Sequence, residues 1–328
     1  MNIKTTFKLT LTLDSDNFKK IFAHTYYQSE CIDNNKYIDQ TLASKGILVM
    51  YHDKQYKKKI QLILSPGVIL NDDEPDKKDI SKIVNKLATR IEGYFDSKYQ
   101  INDFNLSEMI LTTNIDVGSS ENVSAYLKVL KRIGKVKGFA PSNEDLFDDN
   151  LSFCLDGISN GVDFQIYDFE KFLREQRSKA KHGRKKLKSS IEKSKGILRT
   201  EIRVMESKTI RSYTDEDDAV KQIADLFNKN QEIFLKTFMQ IIPFGAFYKK
   251  AKTVEIIRKE VTDTALKRRM LNLLELIPKK KSLLLAQKAL NYRRIDEVME
   301  MFAGIELSPV TLSKRHDVIK LDNLYKYL

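Results

Sequence analysis

Three charged side chains recur at alternate positions in the run Gly196 to Glu206, GILRTEIRVME: Arg199, Glu201 and Arg203. In an extended strand this spacing sets all three on one face, with Leu198, Ile202 and Val204 on or toward the other. A carboxylate held between two arginines is costly to bury unless its charge is used, so the run reads as a site. A solvated ladder of surface ion pairs is the competing reading. A second acid, Asp116, ends the run LSEMILTTNIDV beside Gly118. If the two strands are neighbours, Asp116 and Glu201 create an oxygen-rich site for Mg²⁺ or Mn²⁺, with Glu108 and Asn114 as extra ligands. An Asp near a Gly is equally ordinary turn chemistry.

Tyr248, in FGAFYKK, follows the break made by Pro243 and Gly245 and precedes Lys249 and Lys250. An exposed, cation-flanked phenol suits nucleophilic attack on a phosphodiester, although most tyrosines are packing residues. The basic connection from Lys171 to Lys195, with Lys185, Lys186 and Lys188, either tracks a phosphate backbone or coats a solvated helix. In EVMEMFAGIELSPVTLSKRH, Gly304 supplies a turn and Ser308-Pro309-Val310-Thr311 a helix start, with Lys314, Arg315 and His316 forward. That spacing matches a helix-turn-helix whose Thr311, Lys314 and Arg315 contact DNA, and it equally matches a plain helix stop and start.

Other chemistries find no support. The four histidines form no HxH or HExxH pair, and there is neither a GxxxxGK[ST] loop nor a GxGxxG turn. Two cysteines without CxxC spacing exclude a disulfide framework and fit a reducing cytoplasm. No apolar run is long enough for a membrane span, and the N-terminus alternates where a signal peptide would be uniformly apolar. The net charge of +12 lies wholly beyond residue 150: residues 1–150 carry 21 basic and 21 acidic side chains, residues 151–328 carry 36 and 24. This asymmetry favours a polyanionic partner, most simply nucleic acid.

The elements that would hold these residues alternate in kind. Ile3 to Leu13 reads as a half-buried strand, Gly46–Tyr51 and Ile60–Leu64 as a hairpin closed by Ser65-Pro66-Gly67, and Ile80–Phe95 as an amphipathic helix beyond the polar NDDEPDKKD loop. The strand Leu106–Val117 leads into a helix over Val123–Ile133; Leu151–Leu155 and Val162–Tyr167 form a second hairpin. Beyond Tyr213 the chain is helical. The fold class is α+β with a predominantly antiparallel sheet, as a domain over 1–250 followed by a helical DNA-binding domain over 251–328.

The order of these pieces, NID at the end of one strand, IYD before a helix, LRTEIR on the next strand and then GAFYK, resembles the rolling-circle replication initiators of the Rep-trans type. Those belong to Firmicutes plasmids and integrative elements and have relatives among phage and plasmid replication proteins. The resemblance covers roughly residues 105 to 328. It implies a palm-like sheet with helices on one face, a divalent metal on Asp116 and Glu201 with Glu108 as a substitute ligand, and Tyr248 as nucleophile. Arg199 and Arg203 would lie beside the phosphate, and a 5′-phosphotyrosyl link would form on single-stranded or cruciform origin DNA. A homodimer, a host helicase and a polymerase are the further partners implied. The chain departs from the family pattern at Met109 and Ile110, where an acid is usual, and at Phe169, which displaces the lysine of IYDK to Lys171. A catalytically inactive DNA-binding protein of the same fold is the alternative, and an RNA-binding or ribosome-associated protein a third reading.

Overall fold

Alternating and helical apolar patterns generate most elements of the computed structural model, which describes residues 1–33, 35–54, 56–71, 77–142, 152–179 and 184–328. Part of the expected NDDEPDKKD loop and Leu151 thus lie outside the described residues. In chain order the elements are β1 (Lys4–Leu13), α1 (Ser15–Thr25), β2 (Ser29–Asp33), β3 (Lys36–Asp39), β4 (Ile47–Lys54), β5 (Lys57–Leu64), α2 (Pro66–Leu70), α3 (Ile80–Tyr94) and β6 (Asn105–Asp116). Then come α4 (Ser120–Leu130), β7 (Phe139–Pro141), β8 (Ser152–Gly157), β9 (Val162–Asp168), α5 (Phe169–Lys179), α6 (Arg184–Lys193) and β10 (Ile197–Val204). The remainder is α7 (Ser207–Arg211), α8 (Ala219–Ile241), β11 (Phe247–Tyr248), α9 (Lys250–Glu260), α10 (Thr264–Lys280), α11 (Leu283–Leu290), α12 (Ile295–Gly304) and β12 (Lys320–Leu321). The fold is a mixed α+β one built on antiparallel strands.

Two compact units divide the chain: Asn2–Thr112 with Ile202–Phe234, and Met1 with Thr113–Glu201 and Leu235–Leu328. The helices beyond residue 250 therefore group with the strands from β7 onward, whereas the sequence sets a boundary near 250. In the first unit the strands run in the order β2-β3-β4-β5-β1-β6. Phe7, Leu9 and Leu11 of β1 lie opposite Leu64, Leu62 and Ile60 of β5, and all six are buried. The period-two pattern thus lines one face with apolar side chains. Onto Tyr51 of β4, α1 lays Phe18 and Phe22, with ring centroids 6.2 and 5.0 Å away. Asp39 is fully buried, and its carboxylate accepts from Tyr94 at 2.6 Å and from Thr41 N and Oγ1 at 2.7 and 2.5 Å. Those donors replace the water it loses.

In the second unit β10, β9, β8 and β7 are consecutive neighbours. Phe153 and Leu155 of β8 face Ile166 and Phe164 of β9, and Phe164 meets Phe238 of α8 edge-on at 6.1 Å. Helix α4 buries Val123, Tyr126, Leu127 and Leu130. It starts at Ser119, whose Oγ accepts the Asn122 N–H at 3.2 Å, the expected N-cap.

Three segments differ from the sequence reading. Residues 15–39, to which the sequence assigns no element, hold α1 and the β2–β3 hairpin; the helix shows only the narrow Phe18/Phe22 stripe, and β2 is mostly exposed. Pro66 opens the short α2 instead of closing a loop, since its fixed φ suits a first helical turn. No helix follows Gly304: residues 307–312 run beside 246–249 through bridges Ala246–Leu307 and Lys249–Leu312. Leu307, Val310 and Leu312 are buried there and Thr311 is only 3% exposed, so the helix-turn-helix is absent and Thr311 cannot face DNA. Apolar demand at those positions outweighs the local helix-start signal. Among the described residues no helix is long and apolar enough to cross a membrane.

Candidate functional site

Strand β10 alternates as its spacing requires: Leu198, Thr200, Ile202 and Val204 are buried, while Arg199, Glu201 and Arg203 are half-buried on the other face. The charges are not a solvated ladder. Tyr167 of β9 donates its phenolic O–H to Glu201 Oε1 at 2.6 Å. Burial, followed by the adjacent carboxylate, pushes the Tyr167 phenol far above its usual pKa, so it remains a donor and does not become a phenolate. Arg199 donates from Nε to Asn114 Oδ1 at 3.0 Å, and its guanidinium carbon lies 3.4 Å from the centre of the Phe169 ring. Planar guanidinium over an aromatic face is a cation–π arrangement that a lysine would not reproduce. The residue that displaces the lysine after IYD is therefore the platform on which Arg199 rests.

Gly196 fixes how β10 meets β6. Its carbonyl accepts the Val117 N–H at 2.9 Å, its φ is +74°, and a Cβ there would stand 2.7 Å from the carbonyl carbon of Gly118. With Val117 opposite Gly196 and Asn114 meeting Arg199, the strands run in opposite senses. Asp116 at this junction is exposed, and its Oδ1 accepts the Gly118 N–H at 2.9 Å. Glu201 lies five residues beyond Gly196, about 16 Å along the strand. The structure therefore does not bring Asp116 and Glu201 onto one ion.

The remaining expected ligands are otherwise engaged. Glu108 belongs to the other compact unit, where its Oε2 is ion-paired to Lys8 Nζ at 2.6 Å. Asn114 already gives its oxygen to Arg199. Among the described residues no group of three or more His, Cys, Asp or Glu side chains is arranged to hold a metal. A shared divalent ion does not fit this donor set.

Tyr248 is half-buried on β11, paired with Lys320 of β12, whose Nζ is 5.8 Å from the centre of its ring. The Tyr248 carbonyl accepts the Leu312 N–H at 2.9 Å. Three residues earlier, Gly245 has φ +116°, and a Cβ would lie 2.4 Å from the Leu307 carbonyl carbon; only glycine admits so close a crossing. Lys249 is half-buried and next in the chain to the phenol, and Lys250 is ion-paired with Glu275. Lys188, Lys314 and Arg315 are exposed. Lys185 and Lys186 belong to α6 by backbone, and their side chains lie outside the described residues, as does His182.

Sequence reasoning named Tyr167 and Phe169 only as parts of a motif and missed their contacts; cross-strand neighbours 34 and 30 residues away leave no spacing signal. It also missed Arg132, whose surroundings depend on the C-terminal segment.

No family model matches the chain, and no curated protein does. Among solved structures, the rolling circle replication initiator protein from Geobacillus stearothermophilus is similar over 95% of this chain and 99% of that one, at 11% identity and a TM-score of 0.34.

Proposed function

We propose that this chain binds a single DNA strand at an origin and cuts and rejoins it through Tyr248. The observation that supports this most is the setting of that phenol: half-exposed, on a strand pair held in place from both sides, with the Lys320 ammonium over its ring and Lys249 next in the chain. In the transfer the Tyr248 oxygen forms a bond to phosphorus as the bond from phosphorus to the 3′-oxygen breaks. The phenol loses its proton, the departing 3′-oxygen gains one, and the 5′-phosphate remains on the tyrosine. One phosphodiester replaces another, so the step reverses without an added energy source. Lys249 and Lys320 neutralise charge on the phosphate, and the exposed Lys188, Lys314 and Arg315 contact the backbone. A homodimer, a host helicase and a polymerase are partners that this reading brings with it. Because Asp116 and Glu201 stand apart, no step is routed through Mg²⁺ or Mn²⁺.

A labelled single-stranded origin oligonucleotide incubated with the protein yields a covalent adduct on this reading. An adduct that still forms with Tyr248→Phe overturns the assignment. The engagement of Glu201 by Tyr167 and its distance from Asp116 favour a second reading, a DNA-binding protein without nuclease activity; strand binding with no adduct under any divalent ion selects it.

A further inference from the structure

His316 follows the buried run 307–312 and is itself only 7% exposed. Its Nδ1 accepts the Ser313 backbone N–H at 2.9 Å and lies 2.8 Å from Ser313 Oγ. With that lone pair occupied by a backbone donor, the neutral ring carries its proton on Nε2. This Nε2–H is buried and has no acceptor among the described residues. Arg132, just beyond α4, repeats the situation: its Nε is buried and also without an acceptor. Burial, and after it the charges of Arg132, Lys128 and Lys249 in that order, hold the His316 imidazole below its ordinary pKa. The ring is therefore a neutral donor at pH 7, and the charges acting on it are cations.

An unsatisfied buried N–H costs about 1–3 kcal/mol. A chain folding for stability alone would supply an acidic side chain beside two such donors and their cationic neighbours. A merely solvated basic surface accounts for exposed Lys128 but not for two buried donors. What suits the set is an acceptor brought from outside: multiply charged, with several oxygens, and compact enough to meet an imidazole N–H and a guanidinium N–H together.

We propose that His316, Arg132, Lys128 and Lys249 form a binding site for a phosphate-class oxyanion, with the His316 Nε2–H and the Arg132 Nε–H as fixed donors and the two lysines as charges. A backbone phosphate of a nucleic-acid strand and free inorganic phosphate share this chemistry. The position of Lys249 beside Tyr248 favours the strand. The site stands whether or not Tyr248 is a nucleophile, because its readout is binding.

The test uses the full chain with ¹⁵N-labelled histidine, following the His316 ring nitrogens during titration with inorganic phosphate, with a short oligodeoxynucleotide lacking terminal phosphate, and with chloride at matched ionic strength. The expected result is a saturable shift of Nε2 with phosphate or oligonucleotide and none with chloride. Response to the oligonucleotide alone identifies a strand phosphate; response to inorganic phosphate alone identifies a free one. His316→Asn keeps an acceptor for Ser313 while removing the donor, and Lys128→Gln is a surface change that leaves the core intact. Each is expected to weaken binding of the responding anion about tenfold, which corresponds to about 1.4 kcal/mol. No Nε2 shift with either anion in the folded wild-type protein overturns the proposal, as does unchanged affinity in both variants. Neither failure bears on the adduct test of Tyr248.

Discussion

Tyr167 donates its hydroxyl proton to Glu201 across 2.6 Å, joining β9 to the charged face of β10. Tyr167→Phe removes one donor and leaves the carboxylate facing a ring edge. The expected cost is about 1–2 kcal/mol of stability, within the range for removing a hydrogen bond to a charged acceptor. Glu201→Gln, which keeps an acceptor oxygen, should cost less. Urea unfolding of both variants checks the order.

Gly196→Ala is expected to destabilise the chain by about 1–3 kcal/mol, since it forces an L-residue into positive φ and drives a methyl group onto the Gly118 backbone. Gly93→Ala, whose added carbon meets nothing, is the control. Thermal unfolding of the pair separates backbone crowding from a general glycine effect.

The strand-binding surface has a salt signature. Replacing Lys188, Lys314 or Arg315 with Gln should weaken single-strand binding and lower the slope of log affinity against log salt by about 0.7 for each phosphate that is no longer neutralised. Thr311→Ser, at a buried position, should leave that slope unchanged. Fluorescence anisotropy over a salt series measures both.

Acid sensitivity follows from two histidines. Burial, then Lys36, Lys54 and Lys59, depresses the pKa of His52, as burial and Arg132, Lys128 and Lys249 depress that of His316. The unfolded chain then binds more protons than the folded one below the ordinary histidine value of about 6.5. Stability from these sites is complete above that pH and falls as the pH drops through it toward the folded values. Urea midpoints in that window should fall on acidification, and the double variant His52→Gln, His316→Asn should flatten the decline.

Divalent-ion binding tests the separation of the acids. If Mn²⁺ binds at Asp116 or at Glu201 singly, Asp116→Asn and Glu201→Gln should have independent and additive effects on calorimetric affinity. A decrease in each single variant equal to that in the double would instead show one shared centre.

Much of this architecture is legible in the residues themselves. The alternation of β1, β6 and β10 and the stripes of α3 and α4 come from burying one face of an extended or helical segment, and that demand is local. Gly196 and Gly245 mark crossings whose partners, Gly118 and Leu307, lie far away in the chain. The contacts of Tyr167, Phe169 and Arg199 depend on strand order, which no local pattern encodes. At Ser308-Pro309 the local signal points to a helix and tertiary burial prevails. Asp116 and Glu201 are readable as acids at strand positions; the offset between them needs the register.

The pairing of β11 with β12 has a consequence for how the chain is made. Tyr248 leaves the ribosome long before Lys320, its cross-strand partner, has been synthesised. Until residues 307–321 emerge, the tyrosine lies on an unpaired edge next to Phe247, which is wholly buried in the finished fold. A nascent chain halted ahead of that segment therefore exposes a sticky, unassembled centre, and the reactive phenol gains its surroundings only in the last moments of translation.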